Sequence, residues 1–140
     1  MATKIDLSYK IEKKEDREII ILTDKNLLDS VAKEWAEAIN KTKKTQARNF
    51  YDRVLQLEKE IEENGKKHGK KHGFESVYPF IKMLNSKVAY GVSRKVVSSE
   101  FQEMMSQCLD QIKLDDKGEQ TFKHFKLFFE AVLGFFKGSN

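Results

Sequence analysis

Apolar residues recur every three or four positions through most of this chain, and this spacing restricts the fold more than any other feature. Such spacing places the side chains on one face of an α-helix. Only one Pro and seven Gly interrupt the 140 residues, so few positions break helices. We therefore expect an all-α fold. The clearest stripe follows Ser98 and Ser99 and consists of Phe101, Met104, Met105, Cys108, Leu109 and Ile112.

Four further segments have similar apolar stripes, so we expect five helices. A Ser at the start of the third can accept hydrogen bonds from first-turn N–H groups, and Pro79 is tolerated in a first turn. Short connections between helices are typical of a compact bundle, which we expect over residues 23–137. The four further helices are expected to begin at Thr23 or Asp24, at Thr45, at Ser76 and near Glu119.

The first 22 residues have a different pattern from the helical part. Ile5, Leu7, Tyr9 and Ile11 alternate with other residues, and a second apolar run covers 19–22. This alternation predicts either a short β-hairpin or an extended arm. A hairpin would be only marginally stable alone. We expect residues 1–22 to form an extended or weakly β N-terminal arm beside the five-helix bundle.

The cysteine count and the apolar segments bear on location. Cys108 is the only cysteine, so no internal disulfide can form, and the N-terminus lacks the apolar core of a signal peptide. The most apolar segment, 125–136, contains Lys126 and Glu130. It is also shorter than the roughly 20 residues that cross a bilayer. We expect a cytoplasmic location and no membrane partner.

Few residues offer catalytic chemistry. Cys108 lies on the apolar stripe of the fourth helix, where burial raises the pKa of a thiol and disfavours the reactive thiolate. His124 has no acid placed to orient it, which favours a structural or surface role. No Gly-rich phosphate loop and no nucleophile elbow occurs in the sequence. We therefore expect a protein that is not an enzyme and that uses no cofactor and no metal.

The stretch KKHGKKHG, from Lys66 to Gly73, contains no acid. Three interpretations compete: a solvated linker, a histidine metal site, and one wall of a groove for a polyanion. His68 and His72 have the four-residue spacing of zinc ligands on a helix. However, the glycines argue against a helix, the lysines repel a cation, and no third ligand is present. We expect a cationic loop over 65–73, with a small ribonuclease using His68 or His72 as the least favoured alternative.

Positive charge is concentrated in the middle of the chain. Residues 64–99 contain eight bases and one acid, a net charge of +7, whereas the whole chain carries +4. On the third predicted helix, no acid lies three or four residues from the bases to neutralise them. Bases of the second helix lie beside them if sequential helices pack as antiparallel neighbours. Such a surface attracts nucleic acid through counterion release, without recognising its sequence.

Three sequence blocks carry short motifs in a fixed order: TQARNFYDRV at 45–54, KVAYGVSRKV at 87–96 and FKHFKLFFEAVLGFF at 122–136. Their motifs are Arg-x-Phe-Tyr, Tyr-x-x-x-Arg, and Phe-x-x-Phe followed by Glu-Ala. In order and spacing these blocks resemble the small helical subunit of type III-A CRISPR-Cas effector complexes, the Csm complexes. Ser93 and Phe135 depart from the family's pattern, and the KKHG stretch and N-terminal arm look like local additions.

The resemblance implies a non-catalytic subunit that stacks in several copies along a guide RNA and its target RNA. It also implies contacts with the backbone subunits and the large polymerase-like subunit, and self-association. Because pairing with the guide RNA supplies sequence recognition, such a subunit needs only a positive surface that follows phosphates.

On this basis Arg48 and Arg94 are expected to contact RNA phosphates. The alternative for each is an ion pair with an acid such as Glu103 or Glu130. The supporting cations are Lys43, Lys44, Lys82, Lys87 and Lys95, with Lys66, Lys67, Lys70 and Lys71 as a looser electrostatic collar.

Two further alternatives concern the aromatic and apolar residues. Tyr51 and Tyr90 have the chemistry to stack on bases, but their apolar neighbours favour packing for both. The alternative function is a protein-binding helical adaptor without direct RNA contact. Its partner groove would consist of Met104, Met105 and the Phe-rich last helix.

Overall fold

The computed structural model describes residues 2–140 as an N-terminal hairpin followed by packed helices. The hairpin pairs β1 (Tyr9–Lys14) with β2 (Arg17–Leu22). A π-helical turn, Leu27–Val31, continues into α1 (Ala32–Ala38), and then follow α2 (Lys44–His68), α3 (Lys70–Lys82), α4 (Leu84–Ser93), α5 (Ser99–Gln111) and α6 (Gly118–Phe135). Because α3 and α4 together correspond to one helix of the sequence prediction, five helices and a hairpin confirm the expected fold class.

Helix α6 supplies most of the aromatic core. It packs against α1, α2 and α5, and its Phe122, Phe125, Phe128 and Phe129 are fully buried. The ring of Phe129 lies 6.0 Å from that of Phe125 and 6.1 Å from that of Phe101 on α5. This burial follows from the three- and four-residue spacing of the stripe, which turns one face of α6 inward.

The KKHG stretch is helical, so the expected loop over 65–73 is wrong. Helix α2 continues to His68, the single residue Gly69 makes the turn with φ of 97°, and α3 begins at Lys70 rather than at Ser76. A side chain at Gly73 would place its Cβ 2.4 Å from the carbonyl oxygen of Ile61 and 2.8 Å from Cα of Gly65. The glycines therefore let two helix backbones touch, which flexible-loop reasoning does not anticipate.

Pro79 lies inside α3, so the expectation that it occupies a first turn is wrong. A proline has no N–H to donate to the preceding turn, and such positions commonly bend helices. The helix is interrupted four residues later at Met83. Helix α3 packs along α2, whereas α4 packs against α5. A groove consequently opens between α4 and the first half of α2.

Residues 2–8 dock against the helices before the hairpin begins. Ile5 and Leu7 are buried, and their N–H groups donate to Oε1 of Gln107 and of Gln111, each at 2.8 Å. Nε2 of Gln111 donates to the carbonyl oxygen of Ile5 at 2.8 Å. A docked arm and a hairpin, the two alternatives from the sequence, thus occur in succession. The division into an arm at 1–22 and a bundle at 23–137 stays a prediction.

Candidate nucleic-acid interface

The α2/α4 groove is the depression formed where α4 leaves α2. Its volume is about 490 Å³. The base of the groove is apolar, because Leu84 is buried and Phe50 is half-buried against the ring of Phe101, at 5.5 Å between centroids. Arg53 and Lys87 provide charge at its sides, and none of the lining residues is an acid. Nη1 of Arg53 lies 3.8 Å from Oε2 of Glu60, outside the lining. The complete lining is Gln46, Asn49, Phe50, Arg53, Leu84, Ser86, Lys87 and Tyr90.

One face of α4 combines cations with an exposed aromatic ring. Lys87, Tyr90 and Arg94 are three and four residues apart and so project from the same side of the helix. The guanidinium carbon of Arg94 lies 5.5 Å from the Tyr90 ring centroid, and Tyr90 is 63% exposed. Packing, the expected role for both candidate tyrosines, is therefore wrong for Tyr90. Within residues 2–140, neither Lys87 nor Arg94 forms an ion pair with a carboxylate.

The turn that follows α4 brings Lys95 next to the start of α2. Lys95 has a left-handed φ of 61°, and the N–H groups of Lys95 and Val96 donate back to the carbonyl oxygens of Val92 and Gly91. This is the Schellman pattern, in which glycine is usual at the left-handed position. The carbonyl oxygen of Val96 then accepts from the N–H of Lys43 at 3.1 Å. Lys43 and Lys95 consequently lie on neighbouring segments.

A buried hydroxyl pair fixes this junction. Thr42 is fully buried, and its Oγ1 lies 3.0 Å from Oγ of Ser98 and accepts from the N–H of Ser98 at 3.1 Å. Oγ of Ser98 in turn accepts from the N–H of Phe101 and caps α5, so the helix begins at the first of the two serines that precede its apolar stripe. The start of α2 and the start of α5 are thus held together by specific bonds. No pattern in the sequence identifies Thr42 for this role.

Arg48 and Tyr51 lie on a different side of α2 from the groove. Arg48 and Arg53 are five residues apart, so at 100° per residue their side chains diverge by about 140°. Nε of Arg48 is 3.5 Å from Oδ1 of Asp52, an exposed pair and not one of the acids considered above. The Tyr51 hydroxyl donates to Oε1 of Glu130 at 2.9 Å. Burial, followed by this bond, raises the pKa of Tyr51 to about 12, and packing is confirmed for this residue.

The side chain of Lys82 binds the C-terminal end of α5. Its ammonium group donates to the carbonyl oxygen of Leu109 in the last turn of α5 and lies 5.5 Å from the ring centroid of Tyr78. Burial and, to a smaller extent, the charge of Lys113 lower the pKa of Lys82. The ammonium group therefore satisfies a C-terminal carbonyl of the bundle, an interaction that also complements the helix dipole.

The KKHG lysines lie at the opposite end of α2 from Lys43 and Lys44. The 25 residues of α2 span about 36 Å at 1.5 Å per residue. The structure therefore does not bring these lysines to the α2/α4 groove. Lys70 and Lys71 instead line a second depression, of about 580 Å³, together with the acids Glu75, Asp115, Asp116 and Glu119.

Cys108 and His124, which were considered for catalysis, are both buried in the core. Cys108 is fully buried, which raises the pKa of its thiol. His124 is buried, with Nδ1 at 3.2 Å from the carbonyl oxygen of Leu7, and burial lowers its pKa despite this bond. His68 and His72 are exposed on either side of Gly69. No cluster of three potential metal ligands was found among the residues from 2 to 140.

The side chains expected to form a partner groove in the adaptor alternative are not exposed on the surface. Met104 and Met105 are buried, as are the phenylalanines of α6 from 122 to 129. That part of the alternative is therefore wrong, because the side chains that were to hold a partner form the core. In the part of the chain described, no helix has the length and apolarity needed to span a membrane.

The fold and the groove define a small α-helical protein whose distinguishing surface is lined by cations and an exposed tyrosine. A family model described as Csm2 Type III-A matches residues 22–140. The chain therefore belongs to this family, the small structural subunit of type III-A CRISPR-Cas complexes. No match was found among curated proteins or among solved structures. Residues 1–21, with most of the hairpin, lie outside the matched range.

Proposed function

We propose that this subunit binds the phosphate backbone of the guide RNA and target RNA in the type III-A effector complex, without catalysing a reaction. The observation that carries the proposal is the α2/α4 groove, whose lining contains Lys87 and Arg53 and no acid. Arg94 and Lys95 extend this charge to Lys43 at the start of α2. Arg53 also pairs with Glu60, whereas Lys43, Lys87, Arg94 and Lys95 form no ion pair within residues 2–140. Cations without a carboxylate partner on adjacent elements favour phosphate binding through counterion release.

Backbone binding suits a complex in which another molecule provides recognition. Pairing between guide and target selects the sequence, so a protein of this kind gains affinity and register from phosphates. Arg53 joins the expected contacts, whereas Lys44 and Arg48 stay predictions outside the groove lining, and Arg48 is paired with Asp52. Lys82 and the KKHG lysines 66, 67, 70 and 71 stay predictions with less support, because of the Leu109 bond and the distance along α2.

Membership of a multi-subunit complex requires further surfaces. We propose contacts with the backbone subunits and the large polymerase-like subunit, and self-association of several copies along the RNA. We also propose that the complex acts in the prokaryotic cytoplasm. Family membership supports these proposals, and they do not depend on the groove.

Arg94→Glu is expected to weaken binding of single-stranded RNA about tenfold or more, because a hydrogen bond to a charged group contributes about 1.5 kcal/mol. Arg17→Glu is the matched control: it makes the same change of charge in the exposed hairpin, away from the groove. Both variants are compared with the wild-type protein by fluorescence anisotropy with labelled RNA, after circular dichroism has verified folding.

The salt dependence tests the same proposal independently. The slope of log affinity against log salt should be shallower for Arg94→Glu by about 0.7, the value for one phosphate contact on a single strand. Equal losses in Arg94→Glu and Arg17→Glu would show that net charge alone attracts RNA. A flat salt plot for the wild-type protein would favour an adaptor that binds protein.

Lys95→Gly is expected to raise stability and lower RNA affinity at once. The left-handed φ of 61° costs a residue with a side chain about 1 kcal/mol, which glycine does not pay. The same change removes a cation beside the groove. Glu15→Gly is the control, since Glu15 has a similar φ of 57° in the hairpin turn and should gain stability without losing RNA affinity. Urea denaturation measures the change in stability, and anisotropy measures the change in RNA affinity. A Lys95→Gly variant less stable than the wild-type protein would show that the backbone of Lys95 is not strained.

A further inference from the structure

The α2/α4 groove has features that phosphate binding does not use. Phosphates need cations, yet the base of this groove is made by Phe50 and Leu84, and Tyr90 stands exposed at its side. An exposed aromatic ring in a cationic groove is the arrangement by which proteins stack the bases of single-stranded nucleic acid. Arg94 lies over the Tyr90 ring, and a guanidinium plane also stacks on bases.

The lining of the groove also contains side chains that can form hydrogen bonds. Within residues 2–140, the side-chain amides of Gln46 and Asn49 make no hydrogen bond to protein. The Ser86 hydroxyl donates to the carbonyl oxygen of Met83 at 3.0 Å and keeps its acceptor lone pairs free. Amide and hydroxyl groups serve both donors and acceptors on base edges.

We propose that the α2/α4 groove is a receptor for one unpaired nucleobase of an RNA strand, stacked on Tyr90 over the apolar base formed by Phe50 and Leu84. The inference rests on the proposed function and adds the ligand class of the same site. Lys87 and Arg94 hold the flanking phosphates, and the amides of Gln46 and Asn49 face the base edge. The volume of about 490 Å³ lies within the usual range for small-ligand sites, about 300–1,000 Å³.

The test compares an RNA strand that has bases with one that has none. Labelled oligouridine and an abasic ribose-phosphate strand of the same length carry the same phosphates, and anisotropy measures both affinities. The wild-type protein should bind oligouridine about tenfold more tightly, within the effect of one stacked base. Tyr90→Ala should lose this tenfold on oligouridine, should bind the abasic strand unchanged, and should keep the wild-type salt slope. Tyr90→Phe should keep most of the affinity, because its ring is retained.

Phe80→Ala is the matched control, because Phe80 is an exposed aromatic residue of α3 outside the groove lining, 47% exposed. It should bind both strands as the wild-type protein does. If the wild-type protein binds both strands equally with a steep salt slope, the nucleobase receptor is wrong and phosphate binding stands. If it binds neither strand, or binds without salt dependence, the proposed function fails as well. Displacement of RNA by an acidic aromatic peptide at equal concentration would also overturn the nucleobase assignment.

Discussion

Gly73→Ala is expected to lower the free energy of unfolding by about 3 kcal/mol, the upper end of the usual effect of overpacking. The added methyl group would lie 2.4 Å from the carbonyl oxygen of Ile61 and 2.7 Å from the backbone nitrogen of Gly65. Both are backbone atoms of α2, so no side chain can rotate to relieve the collision. The helices α2 and α3 would have to separate and give up packing along their shared length.

The chain contains a matched control for this substitution. Gly134 is also helical, in α6, and a methyl group added there has no neighbour within 4 Å. Gly134→Ala should therefore be neutral or stabilising by about 0.5 kcal/mol, because alanine loses less backbone entropy than glycine. Urea denaturation followed by circular dichroism measures both. If Gly73→Ala were as stable as Gly134→Ala, the backbones of α2 and α3 would not be in contact at this point.

Gln111→Ala is expected to cost about 3 kcal/mol and to release residues 2–8, because it leaves two buried backbone groups without partners. The side-chain amide of Gln111 accepts from the N–H of Leu7 and donates to the carbonyl oxygen of Ile5, both at 2.8 Å. It thereby supplies the bonds that a neighbouring β-strand would make. Burial of Ile5 and Leu7 depends on this segment staying docked.

The single tryptophan reports on this release. Trp35 is 4% exposed, and its Nε1 donates to the carbonyl oxygen of Thr3 at 2.7 Å. Gln111→Ala should shift its fluorescence emission to the red and speed amide hydrogen exchange at residues 2–8. The control is Gln102→Ala on the same helix, whose side chain makes no hydrogen bond among the residues described. An unchanged emission together with wild-type stability would show that the segment does not need Gln111.

The helices could be predicted because local spacing determines which face of each is buried. The aromatic stripe of α6 and the start of α5 at Ser98 or Ser99 required no knowledge of their neighbours. The KKHG stretch was mispredicted because a glycine signals both a turn and a close approach. Only Gly69 is a turn, and the role of Gly73 depends on which backbone lies opposite. The docking of residues 2–8 on Gln107 and Gln111 also depends on which segment lies opposite. In the sequence, a glutamine that binds a backbone cannot be distinguished from one on a solvent-exposed face.

The candidate site was predictable in charge but not in arrangement. The sequence identified the basic segment, including Lys87 and Arg94, and also Tyr90, although packing was expected for that ring. It did not reveal that Arg53 rather than Arg48 faces α4, because the direction depends on which side of α2 meets its neighbour. The groove itself results from the interruption at Met83, four residues after Pro79, together with the packing of α4 against α5, which the sequence does not specify.

The position of the groove along α2 limits which cations one RNA strand can contact under the proposed function. From Arg53 to Lys66, α2 rises by about 20 Å, which corresponds to about six nucleotides of a duplex strand at about 3.4 Å per phosphate. A duplex strand that occupies the groove and extends fewer nucleotides than this along α2 does not reach the lysines beside Gly69. Those lysines are therefore available to a more distant part of the same strand, or to a different molecule altogether.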